Sequence, residues 1–483
     1  MIAMRILTGL ALSLLLAGCQ PGPSGRGPYG ASSPIVDSAE TKQADAALSA
    51  ELAAEQKNLP SVSTSTVYSL PQLIDLAQSR NPLTRKAWLA ARRAGQDVKA
   101  VKSALLPLVT ASVIAGGQRF NTDVDPALLP PSTVTTEASG VAAVLGASWL
   151  LFDFGENISR QQAADQLARV AELQFNRVHL QLIFDVSTHY HRLNAALRKN
   201  QASTAALQRA EQLLDAARKR KAAGLGNDVE VAQSEQLVAQ TRVVQSQIRG
   251  EIGAARVMLA SALNIPPSTR VRIRPTTGSL PSPGSKTLDA YVQNAMRSHP
   301  EVLAALAEVR AAEYDLDAVA ASYLPKIYSG ANLPVGNSGL SVNGFEANGI
   351  GGTSSSGVFL GLTIPIYDRG LKATRLSNAQ NRVSSAKTSV EIARSVTSQE
   401  VGLAYQALTT SLAVHRAAQD LVAAAKRTAD AAESAYVAGI GTISAASLAA
   451  LNEYVAIEAL ADARAAVYNA SAALAVATGS YDG

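Results

Sequence analysis

Apolar positions along this chain follow two periods that alternate. From about Tyr68 to Leu106 they recur at helical spacing, with Ser69 placed to cap the helix, Pro71 in its first turn and Pro107 ending it. From Leu108 to Phe120 and from Ser139 to Leu151 the period drops to two. Val141, Ala143, Leu145, Ala147, Trp149 and Leu151 fall on one face of the second run, with Ala142, Gly146 and Ser148 among those opposite. The segment between, Asn121 to Ala138, carries Pro126, Pro130 and Pro131 and reads as a long polar hairpin loop. The second run ends in WLLFDFG, Trp149 to Gly155, and a helical pattern follows without a break to about Ala223. A helix of about 68 residues spans on the order of 100 Å at about 1.5 Å per residue. An element of that reach crosses a gap and does not fold into a compact domain.

The middle of the long helix places Ile183, Val186, Tyr190, Leu193 and Leu197 at alternating steps of three and four, the spacing of a coiled-coil seam. Arg218, Lys219, Arg220 and Lys221 near its end offset the helix dipole and read as a solvated terminus. Gly224 and Gly226 then break the helix, and a returning helix runs from about Asn227 to Leu263. Pro266 and Pro267 close this half, and 269–285 reads as an irregular crossover.

The second half replays the first. Leu70, Pro82 and Pro107 recur as Leu288, Pro300 and Pro325, each 218 residues on, while Gly155 and Gly224 recur as Gly370 and Gly439, each 215 residues on. The change of offset falls in the strand loop and leaves both helical registers intact. A second strand pair, Ile327 to Val335 and Val358 to Ile366, leads through LTIPIYDRG into a second long helix. Its seam is built of small residues, among them Ala404, Leu408, Ser411, His415, Ala418, Ala429 and finally Tyr436. Gly439 and Gly441 form its tip, and the last helix runs from about Ala445 to Thr478. Two shorter helices stacked end to end match each long one, which puts both tips at one end and both strand pairs at the other. The chain therefore divides into a first repeat at 68–286, with a strand hairpin at 108–152 and a helical hairpin at 155–263, and a second at 287–483, with the corresponding hairpins at 327–366 and 370–478.

Composition adds little to this picture except at the N-terminus. Charged residues are only 17% and aromatics 5%, alanine fills much of the difference, and a net charge of +5 spread over 483 residues gives no reason to expect nucleic acid. Residues 1–18 have Arg5 ahead of an apolar core, the layout of a secretory signal. Leu16-Ala17-Gly18-Cys19 resembles a bacterial lipobox, which implies a lipoprotein acylated at Cys19 with palmitate-type chains. Gln20 after it leans toward the outer membrane, and 19–67 reads as a lipidated tether rich in Pro, Gly, Ser and Ala. Cys19 is the only cysteine. His189 and His191 point in different directions from one helix, so no metal pair is expected, and no catalytic constellation or cofactor motif stands out.

The repeated Asn/His-Pro, Leu-Pro, aromatic-Asp-x-Gly and Gly-x-Gly landmarks resemble the TolC-type outer-membrane efflux proteins, and the lipobox makes the acylated members of that family the nearest likeness. The resemblance covers nearly all of 68–478. It implies a mainly α protein with membrane β structure: a homotrimer in which four strands per chain close one twelve-stranded barrel, continuous with a long periplasmic α-helical barrel. The function implied is the outer-membrane exit duct of a tripartite export system. The duct is passive and not an enzyme, carries small molecules or type I secretion cargo, and works with a periplasmic adaptor and a proton-driven or ABC-type inner-membrane pump. Localisation is the outer membrane, lipid-anchored and barrel-inserted, extending into the periplasm.

By the same resemblance, Asp228 and Glu230, with Asn227, Thr442 and Ser444, form the periplasmic aperture, and Gly224, Gly226, Gly439 and Gly441 mark the tips an adaptor would touch. Asp153, Gly155, Asp368 and Gly370 form the strand-to-helix turns. The first tip is about two residues shorter than the family spacing, and Ser447 stands where the family commonly has Asp. Two other classes fit parts of the pattern. A periplasmic adaptor predicts one hairpin between small β domains, and a structural coiled-coil lipoprotein leaves the strand pairs without a role.

Overall fold

The computed structural model describes residues 62–124, 132–284, 286–342, 345–347, 353–354 and 356–479, together with 46, 49–51 and 54. The chain divides into two units, 1–61 and 62–483. In the first, the described residues are helical, and the Ser49 hydroxyl donates to the Ala46 carbonyl at 2.9 Å. The signal segment, Cys19 and its lipobox lie outside the described residues.

The second unit opens with β1 (Val67–Tyr68), α1 (Leu70–Arg80) and α2 (Pro82–Ser103). The expected single helix from Ser69 to Leu106 is thus two, and the reason is Pro82. A residue before proline is pushed out of the α region, and Asn81 sits at φ −73°, ψ 121° while its side chain accepts from the Leu83 amide at 2.8 Å. Asn81 therefore ends one helix and caps the next. Its repeat partner His299 does the same at φ −66°, ψ 127°, its Nδ1 accepting from the Glu301 amide at 3.3 Å. The corresponding helix of the second half is accordingly split into α5 (Leu288–Ser298) and α6 (Pro300–Ala321).

The helical hairpins are α3 (Glu156–Ala222) with α4 (Asp228–Ala262), and α7 (Leu371–Val437) with α8 (Ile443–Ala477). Both long helices have 67 residues and both returning helices 35. One stretch of α3 packs on α4 and α8, the other on α2 and α6; α7 runs along α8, then α5 and α6. The seam positions Ile183, Val186, Tyr190 and Leu193 are buried, as are Ala404, Leu408, Ser411, His415 and Ala418. Small side chains let α8 lie close to its neighbours: nine of its thirteen buried residues are alanine. The crossover is tied down by β4 (Arg272–Ile273), which pairs parallel with β1. Tyr190 donates to the Arg274 carbonyl at 2.6 Å, and Arg198 to that of Thr276 at 2.8 Å.

The sheet contains β2 (Leu108–Val124), β3 (Ser132–Phe152) and β5 (Lys326–Val342). A broken fourth strand is made of β6 (Phe345–Ala347), β7 (Thr353–Ser354) and β8 (Gly357–Thr363), each paired with β5. All pairings are antiparallel. The strands run past the expected ends: 121–124 and 132–138, read as loop, are paired, with Arg119 and Glu137 forming a cross-strand ion pair and the Thr133 hydroxyl bonded to Asp123 at 2.7 Å. Polar residues occupy both faces there, so the alternation that marks a strand is lost although the ladder continues. Conversely, Ile364 to Ile366, expected as strand, lie beyond the end of β8.

Candidate functional site

Register fixes which side chains share a face of the sheet. Val113, Ala143 and Val335 are aligned across β2, β3 and β5, and Ala111, Leu145 and Leu333 form the next row. Ser329 pairs with Leu360 and Ile327 with Leu362 on the same side. This face carries exposed apolar side chains that no other element among the described residues covers: Val113 is 74% exposed, Val358 85% and Leu360 72%. Water disfavours such a surface and lipid accommodates it. Trp149 closes the band toward the helices, its indole donating to the Leu105 carbonyl at 2.9 Å. The opposite face mixes small and polar residues such as Thr110, Ser112, Gly146, Ser148 and Asn332 with apolar ones such as Leu108, Ile114 and Val144, and on it Phe359 lies over Gly330 and Tyr328 over Gly361. Those two rings meet edge to face at 6.4 Å, and a Cβ on either glycine would overlap the ring above it.

The two strand-to-helix turns share one geometry. Asp153 accepts from the Gly155 amide at 3.1 Å and the Asn157 amide at 2.9 Å; Asp368 accepts from the Gly370 amide at 3.1 Å and the Lys372 amide at 2.5 Å. Each carboxylate thus satisfies orphan donors at the start of a 67-residue helix. Between Asp and helix, Phe154 and Arg369 are left-handed at φ 54° and 59°, followed by Gly155 and Gly370 at φ 91° and 86°. The Asp-x-Gly motif is a sharp corner with a cap.

At the other end, Gly224 and Gly439 take φ 71° and 81°, and the Leu225 and Ile440 amides reach back to the Arg220 and Ala435 carbonyls at 2.9 and 3.0 Å. Gly226 and Gly441 keep ordinary φ but lie so close to the preceding helix that a Cβ would come within 3.2 Å of the Lys221 amide or 3.0 Å of Ala435. Asn227 and Thr442 cap the returning helices, accepting from the Glu230 and Ala445 amides at 3.0 and 3.2 Å. Ser444 joins the two tips through Gln233 at 3.1 Å.

The two tip carboxylates differ. Asp228 is largely exposed and pairs with Lys221. Glu230 is half-buried and accepts from the Tyr436 hydroxyl at 3.1 Å, with the Arg220 Nε 3.9 Å away. The Arg220 guanidinium lies 5.2 Å from the Tyr436 ring centre and donates to the Leu225 and Tyr436 carbonyls at 3.0 and 3.3 Å. Burial, then the bond to Glu230, raises the Tyr436 pKa. Arg220 is therefore not the solvated helix end expected for the whole basic run, although Lys219 is exposed and Arg218 pairs at the surface with Glu235 at 2.8 Å. The signal for Arg220 was its spacing: Leu213, Ala217 and Arg220 continue the buried seam.

Charge also joins the two halves at mid-length. Lys199 on α3 is buried, 3.3 Å from Glu251 on α4 and 3.6 and 2.9 Å from Glu458 and Asp462 on α8. Burial alone would lower its pKa; the bonds to Asp462 and Glu251 outweigh that and hold it above the ordinary value. Arg209 similarly meets Asp430 at 2.6 Å and Glu433 at 3.3 Å on α7, and Glu453 on α8.

A sheet with a lipid-facing side, joined by capped corners to helices of such length, defines a subunit of a membrane channel that projects into an aqueous compartment. The outer membrane efflux protein family is matched over 73–264 and 291–480, and the chain belongs to that family. One matched segment lies in each half of the chain. The chain is 28% identical over 393 residues to the outer membrane efflux protein BepC of Brucella suis biovar 1, covering 80% of this chain and 79% of that one. It is 25% identical over 352 residues to the protein CyaE of Bordetella pertussis, covering 72% and 71%. The solved outer-membrane channel OprN superposes with a TM-score of 0.69 at 20% identity, covering 96% of this chain and 99% of that one. The fold is TolC-like, and the protein is an outer-membrane export duct that extends into the periplasm. The adaptor and coiled-coil spacer alternatives are set aside by the match to both halves.

Proposed function

We propose that three copies of this chain close a twelve-stranded barrel and a periplasmic helical tunnel, which together form the exit duct of a tripartite pump. The observation that carries this reading is the sheet: β2 at one edge and the broken fourth strand at the other have no further partner among the described residues, while one face is apolar. Open edges in lipid leave backbone donors and acceptors unsatisfied at several kcal/mol each, so closure by other copies is required. The helix tips around Gly224, Gly226, Gly439 and Gly441 are the surface for a periplasmic adaptor, which couples the duct to a proton-driven or ABC-type pump. Three symmetry copies of Asp228 line the aperture as an anionic ring, with Glu230 held back by Arg220 and Tyr436. Acylation of Cys19 adds an anchor in the same membrane.

The test is the full-length protein purified in detergent. A trimer whose gel mobility shifts on heating, and which conducts in planar bilayers, is expected; a water-soluble monomer with no heat-dependent mobility would overturn the reading. The neighbouring genes for an adaptor and a pump decide between small-molecule efflux and protein secretion.

A further inference from the structure

One cleft is used by neither the lipid face nor the tips. It lies at the neck, where β5 rises from the end of α6 between the first turns of α3 and α7, and its volume is about 620 Å³. Register places it on the side of the sheet away from the lipid-facing band. Lys326, which lines it, shares a face with Tyr328 and Gly330, whereas Ile327 and Ser329 pair with the lipid-facing Leu362 and Leu360.

The walls carry more positive charge than their carboxylates answer. Glu156 is buried and holds two cations, Lys326 on Oε2 at 2.5 Å and Arg160 on Oε1 at 2.6 Å. Asp368 spends both oxygens on the Gly370 and Lys372 amides at the start of α7, and Arg382 is met by Asp315 at 2.9 Å. Arg375 also lines the cleft, exposed, and no acid reaches it within ion-pair distance among the described residues. Lys372 lies 5.3 Å from the centre of the Tyr323 ring. An independent feature is the Tyr323 hydroxyl in the same wall, which is buried and has no hydrogen-bond partner among the described residues. A buried donor left unmatched is destabilising unless a ligand or water satisfies it. Arginine guanidinium and hydroxyl donors recognise carboxylate and phosphate oxygens, the guanidinium through charge-assisted bonds, and the volume suits a solute of metabolite or drug size.

We propose that the neck cleft is a luminal station for oxyanions, which binds carboxylate- or phosphate-bearing solutes as they enter the barrel. The luminal placement rests on the barrel reading above; the chemistry of the cleft does not. The experiment uses the full-length trimer in uncharged detergent, with inorganic phosphate as the probe and its ³¹P line width as the readout. Saturable broadening is expected. Arg375→Gln and Tyr323→Phe each raise the half-saturating concentration by about tenfold, or about 1.4 kcal/mol, and Arg375→Lys restores part of the loss. Heat-dependent gel mobility of each variant shows that the trimer is intact.

A trimer that does not broaden phosphate, or one in which both variants respond as the parent does, overturns the proposal. Displacement of phosphate by anionic phospholipid added to the micelle identifies the ligand as a headgroup and overturns the luminal assignment. A chain that forms no trimer fails before phosphate is added, which removes the barrel reading and the luminal placement with it.

Discussion

His191 on α3 lies flat against Tyr468 on α8, their ring centres 4.6 Å apart and their planes 9° from parallel. The pair joins the first repeat to the second beside the crossover. Burial lowers the His191 pKa from its ordinary 6.5 to about 4. The unfolded chain therefore binds a proton between these values that the folded chain does not, so stability is full above pH 6.5 and falls as pH drops toward 4. The loss amounts to about 3 kcal/mol. His299, lowered by burial in the same direction, adds to it. Guanidinium unfolding followed by circular dichroism at pH 7 and pH 4.5 checks this: His191→Phe should flatten the difference, and an unchanged slope would count against the assignment.

Removing Lys199 should cost more than removing a surface lysine. Lys199→Met leaves Glu251, Glu458 and Asp462 facing one another without their shared cation. Destabilisation of about 3 kcal/mol is expected, read as a lower unfolding midpoint. Lys219→Met, an exposed control, should move it by less than about 0.5 kcal/mol.

At the tips, Arg220→Ala removes the contact over Tyr436 and two carbonyl bonds and leaves Glu230 half-buried beside a hydroxyl alone. Local loosening of about 1–3 kcal/mol is expected, visible as faster hydrogen exchange in 222–231 and 436–446. Protection equal to the parent's would show that the cluster is not holding the hairpins together.

Asp228→Ala should reduce cation selectivity in bilayer recordings, and Glu230→Ala should act mainly through tip stability, because only Asp228 is largely exposed. Equal effects on reversal potential would contradict that division.

On the sheet, Gly330→Val and Gly361→Val place methyl groups where the Phe359 and Tyr328 rings lie. Overpacking of about 1–3 kcal/mol should reduce the yield of heat-modifiable trimer, and adding Phe359→Ala to Gly330→Val should recover it.

Much of the fold was legible because it is written twice. The Asp-x-Gly corners and Gly-x-Gly tips repeat at fixed offsets, and small residues mark the second seam as clearly as large ones mark the first. Less legible was the break at Asn81-Pro82, where apolar spacing continues across a capped interruption; Pro82 and Pro300 carried the signal, since each forces the residue before it out of the helix. The strand ends were hidden by polar cross-strand pairs such as Arg119 with Glu137. Arg220 was obscured by its neighbours: within four consecutive basic residues only spacing separates the one that turns inward. The neck cleft could not be read at all, because Glu156, Tyr323, Lys326 and Arg375 meet only when the two repeats stand side by side.

The matched lengths of the helices, 67 with 67 and 35 with 35, have a consequence for how such a protein can change. A turn added to one long helix would put its seam and its tip out of step with the other copy, so a longer rod needs matching insertions in both. The chain behaves as a ruler whose graduation is inherited as a whole. A cell envelope of different depth would call for a differently built duct, whereas the strand ends, free of that constraint, can drift one residue at a time.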